Sequence, residues 1–169
     1  MTPEQLHRLF EYNQWANRRT LDTCAALSDE QFKRELGSSF ASIRDTLAHL
    51  CGAEWIWHQR LLGRSNEGRP TAAMFPDLPA LRAKLDEIDN QLVQYVSKST
   101  AADLERFLDY KNQAGQEFSS PIWQILQHLA NHGTYHRGQV VTMLRQLGGT
   151  AVSTDLIGFY RECASAGHS

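Results

Sequence analysis

The sequence has little cysteine, no block of like charges and no long apolar run, and each absence excludes a class of protein. Its three cysteines form no C-x-x-C pair and lie far apart, which does not indicate a disulfide framework. Its 17 basic and 19 acidic residues give a net charge of −2 without a basic patch, which argues against nucleic-acid binding. No segment approaches the length of a membrane span, and the polar N-terminus has no apolar signal segment. We expect a cytoplasmic protein with reduced thiols and no membrane contact.

What the sequence does contain is typical of a globular protein. Hydrophobic residues make up 41% of the 169 positions and charged residues 21%, which argues against a disordered or fibrous chain. A chain of this length can bury a core without disulfides. No internal repeat or composition change divides it, so the sequence predicts one domain over residues 1–169.

Apolar residues that recur at three- and four-residue steps predict four long amphipathic helices. Each is bounded by residues that favour helix ends, such as Ser, Thr, Asp and Pro at the start and Gly at the end. The predicted helices run from Pro3 to about Ala26, from a cap at Ser39–Ser42 to Gly63, from Asp77 to about Tyr95, and from Pro121 to Leu147, with Ser120 as N-cap.

Shorter elements fill the connections between these helices. "LSDEQFKREL" contains a capping box at Ser28 and Gln31 and predicts a short helix, and "STDLIGFYREC" predicts another near the C-terminus. "GRSNEGRPTAAMFPD" has no periodicity and predicts a surface crossover, while "FLDYKNQAGQEFSS" predicts a small hairpin around Gly115. The predicted fold is all-α: a four-helix bundle with long crossover connections and short accessory helices.

The segment "HLANHGTYHRGQ" on the fourth long helix contains three of the seven histidines. A four-residue step rotates by only about 40°, so His132 and His136 project to the same side and could share one metal ion. A solvated or core-satisfied histidine pair is the competing interpretation. His128 differs in direction from His136 by about 80°, so we expect it to support or pack against the ligands rather than bind the ion.

A third ligand must come from another helix, and His49 is the best candidate because it interrupts the apolar run "DTLAHLCGAEW". Small and polar neighbours one and two turns away, including Gly52, would leave room for a cavity beside its ring. A hydrogen-bonded core histidine is the alternative. His58 lies roughly half a revolution out of phase with His49 and is excluded as a ligand.

Other polar residues near the histidines are weaker candidates. Gln139 and Tyr135 lie within one turn of the ligands; Gln139 could orient an imidazole, and Tyr135 is expected to pack between helices. Arg137 is interpreted as a solvated or interface residue, with an anion-binding cation at the mouth of a pocket as the alternative. Glu54, five residues after His49, falls on a different face of its helix and is not interpreted as a general base.

Three segments, "YNQWANRR", "SIRDTLAHL..AEWIW" and "NHGTYHRGQVVTMLRQLG", resemble the DinB-like family of bacterial proteins. The resemblance spans nearly the whole chain. It implies a four-helix bundle that holds a divalent metal ion through His49, His132 and His136, and a homodimer. Relatives with this triad include S-transferases and isomerases that use low-molecular-weight thiols.

An ion held by three protein ligands keeps a position open for water or substrate, which is typical of catalytic sites. Three imidazoles suit Zn or Ni, with Mn or Fe as further options. Together with the thiol-dependent activities that the resemblance implies, the open position leads us to expect a thiol-dependent transferase or a hydrolase acting on a small electrophilic substrate. The alternative is a non-catalytic metal-binding or stress-response bundle whose ion is structural or buffered. A partner-binding bundle with Trp55 or Trp57 at an interface is the third interpretation.

Overall fold

Seven α-helices and a two-stranded hairpin make up the computed structural model, which describes residues 1–112 and 114–166. The elements, in chain order, are α1 (Pro3–Cys24), α2 (Asp29–Lys33), α3 (Ile43–Leu61), a short 3₁₀ turn (Ala72–Met74), α4 (Leu78–Lys98), α5 (Ala101–Glu105), β1 (Phe107–Lys111), β2 (Glu117–Pro121), α6 (Ile122–Gln146) and α7 (Leu156–Ala166).

The four long helices α1, α3, α4 and α6 form a bundle. Helix α1 packs against α4 and α6, and α3 packs against the same two helices, so α1 and α3 lie diagonally opposite each other. The connections over residues 25–42 and 99–121 therefore cross the bundle, and they carry the short elements α2, α5 and the hairpin. The predicted four-helix bundle with long crossover connections is confirmed.

Polar side chains at the N-termini explain where most helices begin. Thr2, Ser42 and Asp77 each accept a hydrogen bond from a backbone N–H in the first turn of α1, α3 and α4. The predicted capping box at Ser28 is present in α2, and Thr100 forms another in α5. The predicted ends of the long helices differ from the observed ones by up to three residues.

The start of α6 differs from the prediction. Pro121 occupies the N-cap position without a side-chain cap, and Ser120 is not the N-cap because it pairs with Leu108 in the hairpin. The N–H of Ile122, the first helical residue, donates to the carbonyl of Arg106 instead. The strand thus leads directly into the helix. The hairpin itself is confirmed, with Gly115 in a left-handed conformation at φ +80° and Gln113 outside the described residues.

The core of the bundle is a continuous cluster of leucine, isoleucine and phenylalanine side chains from all four long helices. The predicted surface crossover between α3 and α4 is mostly exposed, but Pro70 and Phe75 are buried, so its second half is tied to the bundle. In residues 1–112 and 114–166, no helix combines the length and apolar character needed to cross a membrane.

Candidate metal centre

Three imidazoles meet between α3 and α6. Nε2 of His132 lies 3.3 Å from Nε2 of His49 and 3.0 Å from Nε2 of His136. One nitrogen from each ring lies within 4.8 Å of the other two. His132 and His136 reach this point because a one-turn step on α6 places them on one face, and the packing of α3 against α6 brings His49 opposite them.

Gln139 fixes the tautomer of one of these imidazoles. Its Oε1 lies 2.8 Å from Nδ1 of His136, and its amide nitrogen donates to Oγ of Ser39 at 3.3 Å. An amide oxygen can only accept, so Nδ1 of His136 carries the proton and Nε2 presents a lone pair to the other two histidines. This is the arrangement that a metal-binding imidazole requires.

All three histidines have pKa values below the ordinary histidine value. Burial lowers the pKa of His132 to about 3, with added repulsion from the neighbouring imidazoles. Burial, His136 and Arg69 lower the pKa of His49 to about 4. Burial also lowers the pKa of His136, although the hydrogen bond that His136 donates to Gln139 raises it. At neutral pH the three rings are uncharged, which is the state that binds metal ions.

The nitrogen spacing fits a transition-metal ion. Two ligands at a Zn–N distance of about 2.05 Å in a tetrahedral site are about 3.3 Å apart. The separations of 3.3 Å for His49 with His132 and 3.0 Å for His132 with His136 are close to this value. Lone pairs that face each other at such distances repel unless a proton or a cation lies between them. The donor set therefore fits a divalent ion that accepts imidazole ligands.

Phe40, which the sequence analysis did not select, covers one side of the centre. Its ring stacks on His49 with 4.2 Å between centroids and meets the edge of His136 at 5.5 Å. Phe40 lies in the irregular segment before α3, where no periodicity points to a site. It holds the His49 ring in place and shields that side of the centre from water.

Three other residues considered from the sequence do not join the histidine cluster. The ring of His128 is 5.7 Å from that of His132, and its side chain is exposed. His58 is buried elsewhere on α3 and is absent from the cluster. The expectation that Tyr135 packs between helices is wrong, because its side chain is 63% exposed and only its ring edge approaches His136.

The interpretation of Arg137 as a solvated or interface residue is also wrong. Its side chain is fully buried, and its guanidinium donates to the side-chain oxygens of Asn13 and Asn17 at 2.8 Å. The amides of these asparagines in turn donate to the carboxyl groups of Glu54 and Asp89. A polar network thus joins α1, α3, α4 and α6 in the middle of the bundle. Glu54 belongs to this network, in agreement with its placement on a different face from His49.

This network explains the glycine at the centre of α6. A Cβ atom at Gly133 would lie 2.6 Å from Oδ1 of Asn13 and 2.7 Å from Nη1 of Arg137. Glycine inside a helix lowers its stability relative to alanine. Here the absence of a side chain admits the buried arginine and asparagine against the backbone of α6.

Two cavities differ in their relation to the centre. A cavity of about 1060 Å³ lies between α1, α6 and residues 151–156, on the side of α6 that carries Thr134 and Gly138, and none of the three clustered histidines lines it. A smaller cleft of about 190 Å³ is lined by Trp57, Tyr110 and His128, among others. None of the three clustered histidines lines the small cleft either, but the ring of His128, which does line it, lies 5.7 Å from the ring of His132.

The cysteines do not contribute to the centre. Cys24 and Cys51 are buried in the core, and Cys163 on α7 is partly buried; all three are free thiols. Burial raises the pKa of Cys24 to about 12 and raises that of Cys51 as well. Neither buried thiol is a nucleophile at neutral pH.

Comparison with known proteins gives a consistent result. The model of a family described as the DinB family matches residues 1–164. The protein DinB of Bacillus subtilis (strain 168) is 26% identical over 153 residues, which cover 88% of this chain and 89% of the relative. The uncharacterized protein YizA of the same strain is 23% identical over 160 residues, with 89% and 93% covered.

Two solved structures share the fold. YfiT from Bacillus subtilis, described as a probable metal-dependent hydrolase with an unusual four-helix bundle topology, superposes with a TM-score of 0.71 at 12% identity, covering 89% of this chain and 91% of YfiT. A DinB-like protein from Bacillus cereus ATCC 10987 gives a TM-score of 0.61 at 19% identity, with 82% and 89% covered.

Proposed function

The chain belongs to the DinB family, and from this premise we propose that it is a metal-dependent hydrolase that binds a divalent ion through His49, His132 and His136. The observation that carries the proposal is the convergence of three neutral imidazole nitrogens from two helices. The description of YfiT as a probable metal-dependent hydrolase supports the reaction class.

A bound ion would supply a Lewis acid that polarises a substrate and favours the deprotonated form of an attacking water or thiol. Zn or Ni suits three imidazoles, and Mn or Fe remains an option, since metal selection also depends on availability. Three protein ligands leave a position open, which a catalytic site needs and a closed structural site lacks.

The chain itself would orient the ligands and receive the substrate. Gln139 keeps the proton of His136 on Nδ1, and Phe40 keeps the His49 ring in position. Trp57 and Tyr110 meet edge to face with ring centroids 4.9 Å apart and line the small cleft together with His128. This aromatic surface is where an apolar part of the substrate would pack.

Elemental mass spectrometry on untagged protein, combined with an activity screen, tests the proposal. We expect about one divalent ion per chain, and metal-dependent cleavage of small ester or amide substrates. The variant His132→Ala should lose both, because two imidazoles no longer form a tight site. His58→Ala, which changes a buried histidine outside the cluster, should keep both.

The same screen separates the competing functions. If the protein consumes a low-molecular-weight thiol and an electrophile in a metal-dependent reaction and shows no hydrolysis, its function would be that of a thiol transferase and not of a hydrolase. Stoichiometric metal without turnover would favour a non-catalytic metal-binding bundle, and no metal after reconstitution would refute the metal centre.

The homodimer and the cytoplasmic location remain predictions. Light scattering on the purified protein tests the homodimer.

Replacing Gln139 tests the tautomer assignment. Gln139→Leu removes the acceptor at Nδ1 of His136, so we expect zinc affinity to fall by about 10- to 100-fold, the usual effect of losing a group that orients a metal ligand. Competition with a chromophoric chelator measures this change. Ser39→Ala removes only the other hydrogen bond of Gln139 and should leave the affinity nearly unchanged. Equal affinities for the wild-type protein and Gln139→Leu would show that the amide does not orient His136.

A further inference from the structure

Arg69 lies against α3 one turn beyond His49. A Cβ atom at Gly52 would lie 2.9 Å from Nε of Arg69 and 2.7 Å from the carbonyl oxygen of Pro70. Residues three apart on a helix share a face, so Gly52 and His49 point to the same side of α3. The space that the sequence analysis assigned to a cavity beside His49 is therefore occupied by an arginine. Only glycine at position 52 admits it.

Arg69 has no protein partner among the described residues. Its Nε is buried without a hydrogen bond, and no carboxylate in residues 1–112 and 114–166 forms an ion pair with its guanidinium. Other half-buried arginines are paired, for example Arg44 with Asp45 and Arg82 with Asp22. Nε of Arg44 also lacks a hydrogen bond, but the terminal nitrogens of Arg44 pair with a carboxylate, whereas those of Arg69 pair with none in the described part of the chain. A polar group that is partly buried without an acceptor is costly.

We propose that Arg69 binds an oxyanion of the substrate, a carboxylate or a phosphate, while the reacting group of the substrate faces the three histidines. The planar guanidinium offers paired N–H donors that match either oxyanion. This inference rests on the proposed function and adds a substrate class to it: small molecules that carry an anionic group beside the reacting bond.

The position of the positive charge is consistent with this role. Nε of Arg69 lies against Gly52, so the positive charge lies beside the face of α3 that also carries His49. An oxyanion would accept hydrogen bonds from the guanidinium of Arg69, and this interaction does not require a metal ion. The site can therefore be tested on metal-free protein.

Titration calorimetry with inorganic phosphate and with succinate, on chelator-treated and zinc-loaded protein, tests the site. We expect the metal-free wild-type protein to bind at least one probe and Arg69→Gln to bind it at least about tenfold more weakly. Arg64→Gln is the matched control, since Arg64 is an exposed arginine of the same connection, and it should bind like the wild type. Gly52→Ala, which displaces Arg69 but keeps its charge, should also weaken binding.

Binding of phosphate alone would assign a phosphorylated substrate, and binding of succinate alone would assign a carboxylate; either supports the site. Binding of neither probe by the wild type, or equal binding by the wild type and Arg69→Gln, would overturn it. Metal content measured on the same samples keeps the two proposals apart. If Arg69→Gln loses anion binding and no sample contains metal, the anion site at Arg69 is supported and the metal centre is refuted. If the protein binds metal but the wild type binds neither anion, the metal centre is supported and the anion site is refuted.

Discussion

Arg137→Met is expected to lower the free energy of unfolding by about 3–5 kcal/mol at neutral pH, the cost of removing one partner from a buried charge network. Arg137 is the only cation among the buried residues described, and it reaches the carboxyl groups of Glu54 and Asp89 through Asn13 and Asn17. Methionine fills a similar volume but leaves two asparagine oxygens and two carboxyl groups without a positive charge nearby.

The loss should depend on pH. Burial raises the pKa of Glu54 and of Asp89, and the charge on Glu54 raises the pKa of Asp89 further, whereas Arg137 lowers both. Without Arg137 both folded-state values rise. A carboxyl group with a raised folded-state pKa binds more protons in the folded than in the unfolded chain, so stability falls as pH increases from the unfolded-state value of about 4. The destabilisation should be smallest below the folded-state pKa values of both wild-type carboxyl groups, where these groups are protonated in either protein, and should grow as pH rises above those values.

Urea denaturation of the wild-type protein and the variants at several pH values measures these effects. Arg145→Met, which changes an exposed arginine on the same helix, should alter stability by no more than about 0.5 kcal/mol. Placing Arg137→Met on a Glu54→Gln, Asp89→Asn background removes the uncompensated carboxylates and should reduce its cost. A loss below about 1 kcal/mol at neutral pH, or one independent of pH, would contradict the electrostatic role of Arg137.

Most of the fold could be predicted because hydrophobic period and helix caps are local signals. The four long helices, the capping box at Ser28 and the turn at Gly115 were all predicted from residues within a few positions of each element. The start of α6 could not be placed in this way. Ser120 and Pro121 form a good local helix start, but pairing of Ser120 with Leu108 across the hairpin takes precedence over it.

The three histidines could be predicted because two of them share a helical face and the third interrupts an apolar stripe. The same kind of signal existed for the buried network, since Asn13 and Asn17 occupy the core stripe of α1 between Phe10 and Leu21. Glu54 and Arg137 likewise lie at core positions of their helices. Polar residues at core positions predict partners on other helices, but the sequence does not say which ones.

Phe40 and Arg69 could not be found from periodicity at all. Both lie in irregular connections, and their positions depend on how these segments pack against α3. Gly52 gave a partial signal, because a glycine inside a helix indicates close approach of another group. The sequence alone did not distinguish an empty cavity from the arginine that occupies this space.

Zinc is expected to raise the melting temperature of the wild-type protein by roughly 8–16 °C when the free ion exceeds its dissociation constant a thousandfold. An excess of this size stabilises the folded state by about 4 kcal/mol, and each kcal/mol shifts the midpoint of a chain of this size by about 2–4 °C. The unfolded chain does not hold His49 on α3 close to His132 and His136 on α6, so the ion favours the folded state.

The triad variants decide whether this stabilisation comes from the proposed centre. In His49→Ala and His136→Ala the zinc-induced shift should largely disappear, because each removes one of the three proposed ligands. Both variants should stay folded without zinc, since the continuous apolar core of the four long helices does not include these rings. His128→Ala should keep the full shift, because the His128 ring lies beside His132 but outside the cluster. A full shift in either triad variant would place the zinc site elsewhere in the protein and refute the assigned ligands.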